Sequence, residues 1–279
     1  MQFISPNVIL EDIQLVKRPI FHLDEVSQLY EDVMKNIDKT LVIPKDIFNT
    51  FKIKDELNKD IWNQDTLHPH IKNKLLKLAK EFFKTLEIPV KIKDVLFVGS
   101  LANYNWSRFS DIDLHIVLDF KELNPNIQQT KIRFDAQKNL WNANHDITIM
   151  DFPIEVYVQD VKEKLESSAI YSIPKDKWIV KPEKTKFKLD KPVIKRKVTK
   201  LFDILKDIKH NYDTHKYNQV VSQTDKLKKS IKNMRQAGLD KHGEFSTENV
   251  IFKILRRTNF MDILDTYKIK AIDKTISLH

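Results

Sequence analysis

One stretch of sequence limits what this chain can fold into more than any other. Residues 95–120 read VLFVGSLANYNWSRFSDIDLHIVLDF. Residues 95–98 form a short apolar run, which is typical of a strand covered on both faces, and residues 111–118 alternate as a half-covered strand does. The whole chain contains only three glycines, and one of them, Gly99, ends the first of these strands. The pattern predicts two neighbouring strands whose connecting turn needs a residue without a side chain.

The turn at Gly99-Ser100 indicates a phosphate site, and the second strand indicates a metal site. Glycine lets a backbone amide approach a triphosphate closely, and the Ser100 hydroxyl can donate to a phosphate oxygen. Asp111 and Asp113 are two residues apart on a strand, so both point to the same face and can converge on shared metal ions. Two Mg²⁺ (or Mn²⁺) ions about 4 Å apart serve phosphoryl and nucleotidyl transfer.

A third carboxylate is expected from a neighbouring strand. Glu155 is the preferred candidate, because it alternates with apolar residues in the segment PIEVYV. Asp146, at a strand start, and Asp151, in a predicted turn, remain alternatives. His115 shares the face of Asp111 and Asp113, and it either touches substrate or lies at the strand rim.

The elements around this stretch alternate between helical and extended patterns. Helical spacing of apolar residues predicts helices over 24–37, from Pro69 to about 86 and over 127–143, and HDITIMDFPIEVYVQD is typical of a hairpin that turns at residues 150–153. The resulting order is helix, strand, turn, strand, helix, strand, strand. We therefore predict an α+β fold with a small mixed sheet, preceded by N-terminal helices.

The composition and the apolar periodicity of the sequence change near residue 172. SIPKDKWIVKPEKTKFKLDKP carries three prolines without clear periodicity, which favours a linker or an arm laid over the first domain, and helical stripes follow it. The predicted domains are residues 1–171, with an N-terminal helical extension, and residues 172–279, a basic linker or arm with a helical domain. Residues 181–241 hold 18 basic against 7 acidic residues. The candidate phosphate or acceptor contacts on one helix face are Lys228, Lys229, Lys232 and Arg235, with a solvated face as the alternative.

Composition excludes several classes of protein. The absence of cysteine excludes a disulfide framework, a thiolate zinc site and a cysteine nucleophile. There is no apolar run of about 18 residues, and the N-terminus lacks the pattern of a signal peptide, so we expect a cytoplasmic protein without a membrane segment. The formal charge of +9 is a mild basic excess that favours polyanionic partners.

The Gly99-Ser100 pair followed by SDIDL at residues 110–114 resembles the signature of the DNA polymerase beta superfamily of nucleotidyltransferases. The resemblance covers roughly residues 70–160, and the minimal catalytic core of that superfamily has the predicted element order. It implies that Gly99, Ser100 and Ser110 contact the nucleotide, that Asp111 and Asp113 bind metal, and that Glu155 fills the third carboxylate position.

Two features depart from that superfamily. The third position, here Glu155, is often aspartate, and Asn103-Tyr104-Asn105-Trp106 replaces the usual basic and glycine residues of the Gly-Ser loop. Tyr104 and Trp106 either stack on a base or pack over the core edge. In the tail, GEFSTENVIFKILRR resembles uncharacterised phage-encoded nucleotidyltransferases.

The expected activity is transfer of a nucleoside monophosphate from an NTP to a hydroxyl acceptor, with release of pyrophosphate. An RNA 3′ end is the favoured acceptor, because the tail is basic and helical tails in this superfamily often hold the acceptor. A synthase of cyclic or linear oligonucleotide messengers comes next, followed by a protein or small-molecule acceptor such as an aminoglycoside. A catalytically silent module that binds nucleotide or RNA is the alternative from another class.

Overall fold

The structure is a computed structural model that describes residues 41–124, 126–165, 167–185 and 187–277. The helix predicted over residues 24–37 lies outside these ranges. The strands are β1 (Trp62–Asn63), β2 (Thr66–Leu67), β3 (Asp94–Val98), β4 (Ile112–Leu118), β5 (Thr148–Ile149), β6 (Phe152–Asp160), β7 (Ile170–Ser172) and β8 (Lys177–Val180). The α-helices are α1 (Pro69–Thr85), α2 (Ile127–Asn144), α3 (Lys191–Asp213), α4 (Tyr217–His242), α5 (Thr247–Arg257) and α6 (Phe260–Ile276).

The chain divides into two compact units. The sheet unit contains the described residues between 50 and 185, and the helical unit contains residues 41–49 and 187–277. The predicted α+β class is confirmed. No helix in the described ranges has both the length and the apolar composition that crossing a membrane requires.

The sheet unit is built on a six-stranded mixed sheet in the order β5-β6-β4-β3-β7-β8. At its centre, β4 pairs antiparallel with β3 on one side and parallel with β6 on the other. The parallel pair is possible because α2 provides the long crossover between β4 and β6. The core includes the predicted apolar face of α1, which buries Ile71, Leu75, Leu78, Ala79 and Phe82.

Residues 172–180, predicted as a linker or an arm, differ from that expectation. β7 pairs with β3, and β8 extends the sheet by pairing with β7. The aromatic rings of this segment hold it in place, since Trp178 stacks on Trp62 with ring centroids 4.7 Å apart and Tyr171 meets Trp62 edge-on at 5.0 Å. Prolines and lysines around these short strands hide their period in the sequence.

The hairpin between β5 and β6 is tighter than predicted. Only Met150 and Asp151 form the turn, with φ of 51° and 63°, while Phe152 and Pro153 already belong to β6. Two successive positive φ angles are the mark of the two-residue turn whose twist matches that of the strands. Pro153 faces Thr148 of β5, and the next hydrogen bond of the hairpin is donated by the Ile154 amide to the Ile147 carbonyl at 3.0 Å, so the missing N–H of the proline is not needed there.

Amphipathic helices make up most of the helical unit, as the sequence predicts. Helical spacing in the sequence predicts an apolar stripe at positions 194, 198, 201, 205 and 208. α3 buries Ile194, Val198, Leu205 and Ile208, and it buries Phe202 in place of Leu201. Ser246 caps α5 by accepting a hydrogen bond from the Asn249 amide at 3.2 Å. The sequence pattern predicts a turn bracketed by Gly238 and Gly243, but Gly238 lies inside α4, where a Cβ would meet the Glu248 Cβ at 2.6 Å. Close packing against the Glu248 side chain explains why this position of the helix is a glycine.

Candidate active site

Three acidic side chains meet at one end of the central strands. Asp113 on β4 is the pairing partner of Val98 on β3 and of Glu155 on β6, and Asp111 precedes β4. Each of the three carboxylates offers an oxygen, and these oxygens lie within 4.8 Å of one another. All three side chains are half-buried. The structure therefore brings together the three carboxylates that the sequence singled out.

Gly99 is required at this end of β3 by one of those carboxylates. Its φ of 80° and ψ of −165° belong to a region that is essentially restricted to glycine. A Cβ built at this position would lie 1.8 Å from Asp113 Oδ2 and 2.9 Å from Asp113 Cγ. The structure thus adds a second reason for glycine at this position, because a carboxylate of the same chain lies where a side chain would be. The approach of a phosphate to the Gly99 backbone stays a prediction.

Two serines connect the Gly99-Ser100 turn to the start of β4. The hydroxyls of Ser100 and Ser110 are 2.7 Å apart, and the Ser110 hydroxyl also accepts a hydrogen bond from the Ser107 amide at 3.0 Å. Ser110 is buried, while Ser100 is half-buried. The Ser110 hydroxyl is thus engaged within the protein, and it fixes the position of the Ser100 hydroxyl beside the acidic cluster.

Tyr157 is the neighbour of the third carboxylate. Its hydroxyl donates to Glu155 Oε2 at 2.5 Å. Burial raises the pKa of Tyr157 far above its usual range, and the negative charges of Glu155, Asp113 and Asp111 raise it further. The phenol consequently keeps its proton and acts as a donor to Glu155.

His115 lies next to Tyr157 on the same face of the sheet. Gln159 donates its amide N–H to the Glu163 carbonyl at 3.1 Å, so its Oε1 is the atom that accepts from His115 Nδ1 at 2.8 Å. Burial lowers the pKa of His115, which is partly opposed by the bond to Gln159. The imidazole is therefore neutral, with its proton on Nδ1, and its ring packs 4.9 Å from that of Tyr157.

The chemistry of the cluster fits a divalent cation of the Mg²⁺ type. Mg²⁺ prefers oxygen ligands at about 2.1 Å in an octahedral arrangement, which separates ligand oxygens by roughly 3 to 4 Å. The carboxylate oxygens of Asp111, Asp113 and Glu155 are gathered to nearly this spacing. The backbone at Gly99, where any Cβ would displace the Asp113 carboxylate, is shaped around one of these ligands.

The other candidates for the third carboxylate stand apart from this arrangement. Asp146 is exposed in the connection before β5, and Asp151 is exposed in the two-residue turn. In the described residues, the group of acidic and histidine side chains close enough to hold a metal consists of Asp111, Asp113 and Glu155.

The aromatic residues of the Gly-Ser loop pack against the core edge. Tyr104 and Trp106 both contact the main apolar cluster of the sheet unit. The Trp106 indole donates to the Glu56 carbonyl at 3.0 Å, and the Tyr104 carbonyl accepts from the Lys54 amide at 2.7 Å. The loop is therefore held to the segment that precedes α1 by one backbone and one side-chain hydrogen bond.

The four basic residues singled out on α4 separate into two pairs. Lys228 donates to Asp265 at 2.7 Å, and Arg235 lies 4.2 Å over the Phe252 ring with its Nε bonded to Asn249 at 3.3 Å. Lys229 and Lys232 are exposed, and within the described part of the chain neither makes an ion pair. The first pair contributes to packing within the helical unit, and the second pair presents its charge to solvent.

Sequence reasoning assigned no role to Tyr157. The signal was available, because Glu155 and Tyr157 are two residues apart on one strand and must share a face. The hydrogen bond between them could not be read from spacing alone, since it depends on how both side chains turn.

One comparison with known proteins found a match, and it agrees with the geometry. The model of the family described as "Nucleotidyltransferase domain" matches residues 72–236, which is more than half of the chain. Neither the comparison with curated proteins nor the comparison with solved structures found a match. The matched range contains the Gly99-Ser100 turn and all three clustered carboxylates. On this evidence the chain belongs to the nucleotidyltransferase domain family.

Proposed function

We propose that this protein is a divalent-metal-dependent enzyme that transfers a nucleoside monophosphate from an NTP to a hydroxyl acceptor and releases pyrophosphate. The observation that carries the proposal is the convergence of three carboxylates beside the Gly99-Ser100 turn, in a chain of the nucleotidyltransferase family. The acceptor oxygen forms a bond to the α-phosphorus while the bond from this phosphorus to the bridging oxygen breaks. The acceptor proton passes to a carboxylate of the cluster.

Each residue has a separate part in this chemistry. Asp111, Asp113 and Glu155 would hold Mg²⁺ or Mn²⁺, which supplies neutralisation of the phosphate charge and polarisation of the phosphoryl oxygen. The Ser100 hydroxyl, held by Ser110 at 2.7 Å, donates to a phosphate oxygen of the NTP. Positioning and charge neutralisation account for most of the catalysis in reactions of this kind.

We favour an RNA 3′ end as the acceptor. The support is electrostatic: residues 181–241 carry 18 basic and 7 acidic residues, and Lys226, Lys229 and Lys232 are exposed on α4. An exposed run of lysines neutralises successive phosphates of a nucleic acid without reading its sequence. A small-molecule acceptor would need no such run.

The test is release of pyrophosphate from a mixture of the four NTPs with Mg²⁺ or Mn²⁺. The protein is assayed alone, with RNA ending in a 3′-hydroxyl and with the same RNA ending in a 3′-phosphate. We expect release only with the 3′-hydroxyl RNA. Release in the absence of RNA points to a messenger synthase, and failure to release pyrophosphate under all conditions contradicts transfer to RNA or to a nucleotide.

Asp113→Asn is the control that ties turnover to the cluster. Loss of this ligand should reduce turnover by more than about 100-fold, beyond the range for partners outside the metal shell. The melting temperature should stay the same or rise slightly, because the substitution removes one charge from a group of like charges. A variant that keeps wild-type turnover excludes the acidic cluster as the catalytic centre.

A further inference from the structure

The third carboxylate of the cluster differs from the other two in its length. Glu155 has one more rotatable side-chain bond than Asp111 or Asp113, so more rotamers are open to it. In a cluster whose oxygens lie within 4.8 Å, repulsion between like charges favours rotamers that carry this carboxylate away. A glutamate at this position therefore needs something to hold it toward the two aspartates.

Tyr157 provides such a hold. The two residues lie on the same face of β6, and the Tyr157 hydroxyl donates to Glu155 Oε2 at 2.5 Å. A hydroxyl donor stabilises an ionised carboxylate, and unlike a lysine or arginine it brings no positive charge that would compete with a bound cation.

The ring of Tyr157 is itself fixed from two directions. His115 is its pairing partner on β4, and the two rings lie 4.9 Å apart. From α2, the Lys138 ammonium lies 4.6 Å from the centre of the Tyr157 ring. The hydrogen bond from His115 to Gln159 at 2.8 Å holds the imidazole in turn. The direction of the phenol O–H is thus set by packing and does not depend on Glu155 alone.

We propose that Tyr157 is a positioning residue that holds Glu155 in the orientation required for metal binding, an inference that rests on the proposed function. Tyr157 acts through Glu155 and touches neither substrate nor the reacting atoms. In this protein the longer carboxylate of Glu155 is oriented by the tyrosine, whereas a shorter carboxylate would need no such partner. Loss of the hydroxyl should leave the metal ligands present but poorly oriented.

The experiment is a double-mutant cycle with Mn²⁺ as the probe. Wild type, Tyr157→Phe, Glu155→Asp and the double variant are compared by calorimetric titration with Mn²⁺ in the absence of nucleotide, and by kcat and KM for the NTP. Tyr157→Phe should weaken Mn²⁺ binding by about 10- to 100-fold, the range for partners that orient metal ligands. In the Glu155→Asp background the same change should have less than about a 3-fold effect, because the shortened carboxylate lies about 1.5 Å farther from the phenol.

Tyr171→Phe is the matched control. The Tyr171 hydroxyl also donates to a carboxylate at 2.5 Å, that of Asp176, and it belongs to the same sheet unit but not to the acidic cluster. This variant should lower the melting temperature without changing the affinity for Mn²⁺. Lys138→Gln, which leaves the hydroxyl in place but frees the ring, should weaken Mn²⁺ binding by a smaller factor of about 2 to 5.

The outcomes separate this inference from the proposed function. If wild type binds Mn²⁺ and turns over but Tyr157→Phe matches it in Mn²⁺ affinity, only the positioning role is wrong. Equal effects of Tyr157→Phe in both backgrounds also overturn it, because they show a structural role independent of Glu155. If wild type neither binds Mn²⁺ nor releases pyrophosphate, both proposals fall. If Tyr157→Phe does not fold, Lys138→Gln decides, and an unchanged Mn²⁺ affinity in it counts against the inference.

Discussion

The two ends of strand β3 treat negative charge in opposite ways. At its start, the Asp94 carboxylate accepts hydrogen bonds from the Lys175 ammonium at 2.6 Å, the Ser172 hydroxyl at 2.7 Å and the Val95 amide at 2.9 Å. At its end, Gly99 has no side chain, and the Asp113 carboxylate lies against its backbone. Oxygens of Asp113 and of two further carboxylates lie within 4.8 Å of one another. One end neutralises an acid with groups of its own chain, and the other gathers acids together.

The two ends differ in the partners of their acids, and burial alone does not show this difference. Asp94 is more buried than any member of the cluster, yet its partners give it a role in holding β7 to β3. Gathering like charges costs stability, and it persists where a ligand of opposite charge compensates. The experiments that follow test whether the two ends differ in this way.

Gly99→Ala should have the largest effect, and it should act on catalysis. The new Cβ would lie 1.8 Å from Asp113 Oδ2, so the carboxylate must move. Displacing a catalytic group by about 1 Å costs on the order of 100-fold in rate, and the strained backbone adds about 1 to 3 kcal/mol of instability. The measurement is kcat/KM for pyrophosphate release together with the melting temperature.

Gly243→Ala is the control for strain alone. Gly243 also has a positive φ, 67°, but a Cβ there would meet nothing within 4 Å. This variant should lose stability and keep its kcat/KM. If Gly99→Ala turned over within a few-fold of wild type, the close approach to Asp113 would have no part in catalysis.

Asp94→Asn should have an intermediate effect, on stability only. The amide cannot accept from all three donors, and its own NH₂ would face a donor. Because the Lys175 side chain is 53% exposed and can turn to water, we expect a loss of about 1 to 2 kcal/mol in the free energy of unfolding, measured in urea. Turnover at a temperature where the variant is folded should equal that of wild type. A fall in turnover without a fall in stability would contradict the assignment of a purely structural role to Asp94.

The smallest effect is expected on α4, where exposed lysines are compared with an arginine that packs within the helical unit. If the exposed pair Lys229 and Lys232 binds RNA phosphates, replacing both by glutamine should flatten the plot of log affinity against log salt by about 1.4, since each contact to a single strand contributes about 0.7. Arg235→Met removes a charge that already packs on Phe252, and should leave the slope unchanged. Equal slopes for all variants would mean that this helix face is only solvated.

The sequence predicted the parts of the site that depend on strand periodicity. Gly99 after an apolar run, and Asp111 and Asp113 with period two, place the carboxylates on one face without knowledge of the remaining fold. Glu155 followed from the same alternation on a second strand. The long, strongly periodic helices α1 and α3 were predictable for the equivalent reason, since apolar residues recur on one face.

What could not be predicted depends on contacts between residues distant in sequence. β8 joins the sheet by pairing with β7. Its Trp178 stacks on Trp62, which lies more than a hundred residues earlier in the chain. The sequence alone predicts an exposed lysine at Lys228, because its hydrogen-bond partner Asp265 lies in a different helix, α6. The contact between Gly99 and Asp113 was missed for the same cause, because nothing in the sequence around the glycine shows that Asp113 will occupy the space of a Cβ.

The aromatic stacking around Trp62 has a practical consequence for measurement. All four tryptophans of the chain, Trp62, Trp106, Trp141 and Trp178, belong to the sheet unit, so the sequence of the helical unit contains no tryptophan. Intrinsic tryptophan fluorescence therefore reports the opening of the sheet unit alone, whereas far-ultraviolet circular dichroism is dominated by the four helices of the helical unit, α3 to α6. Recording both signals in one denaturant titration resolves the two units without labels, and shows whether they unfold together or in turn.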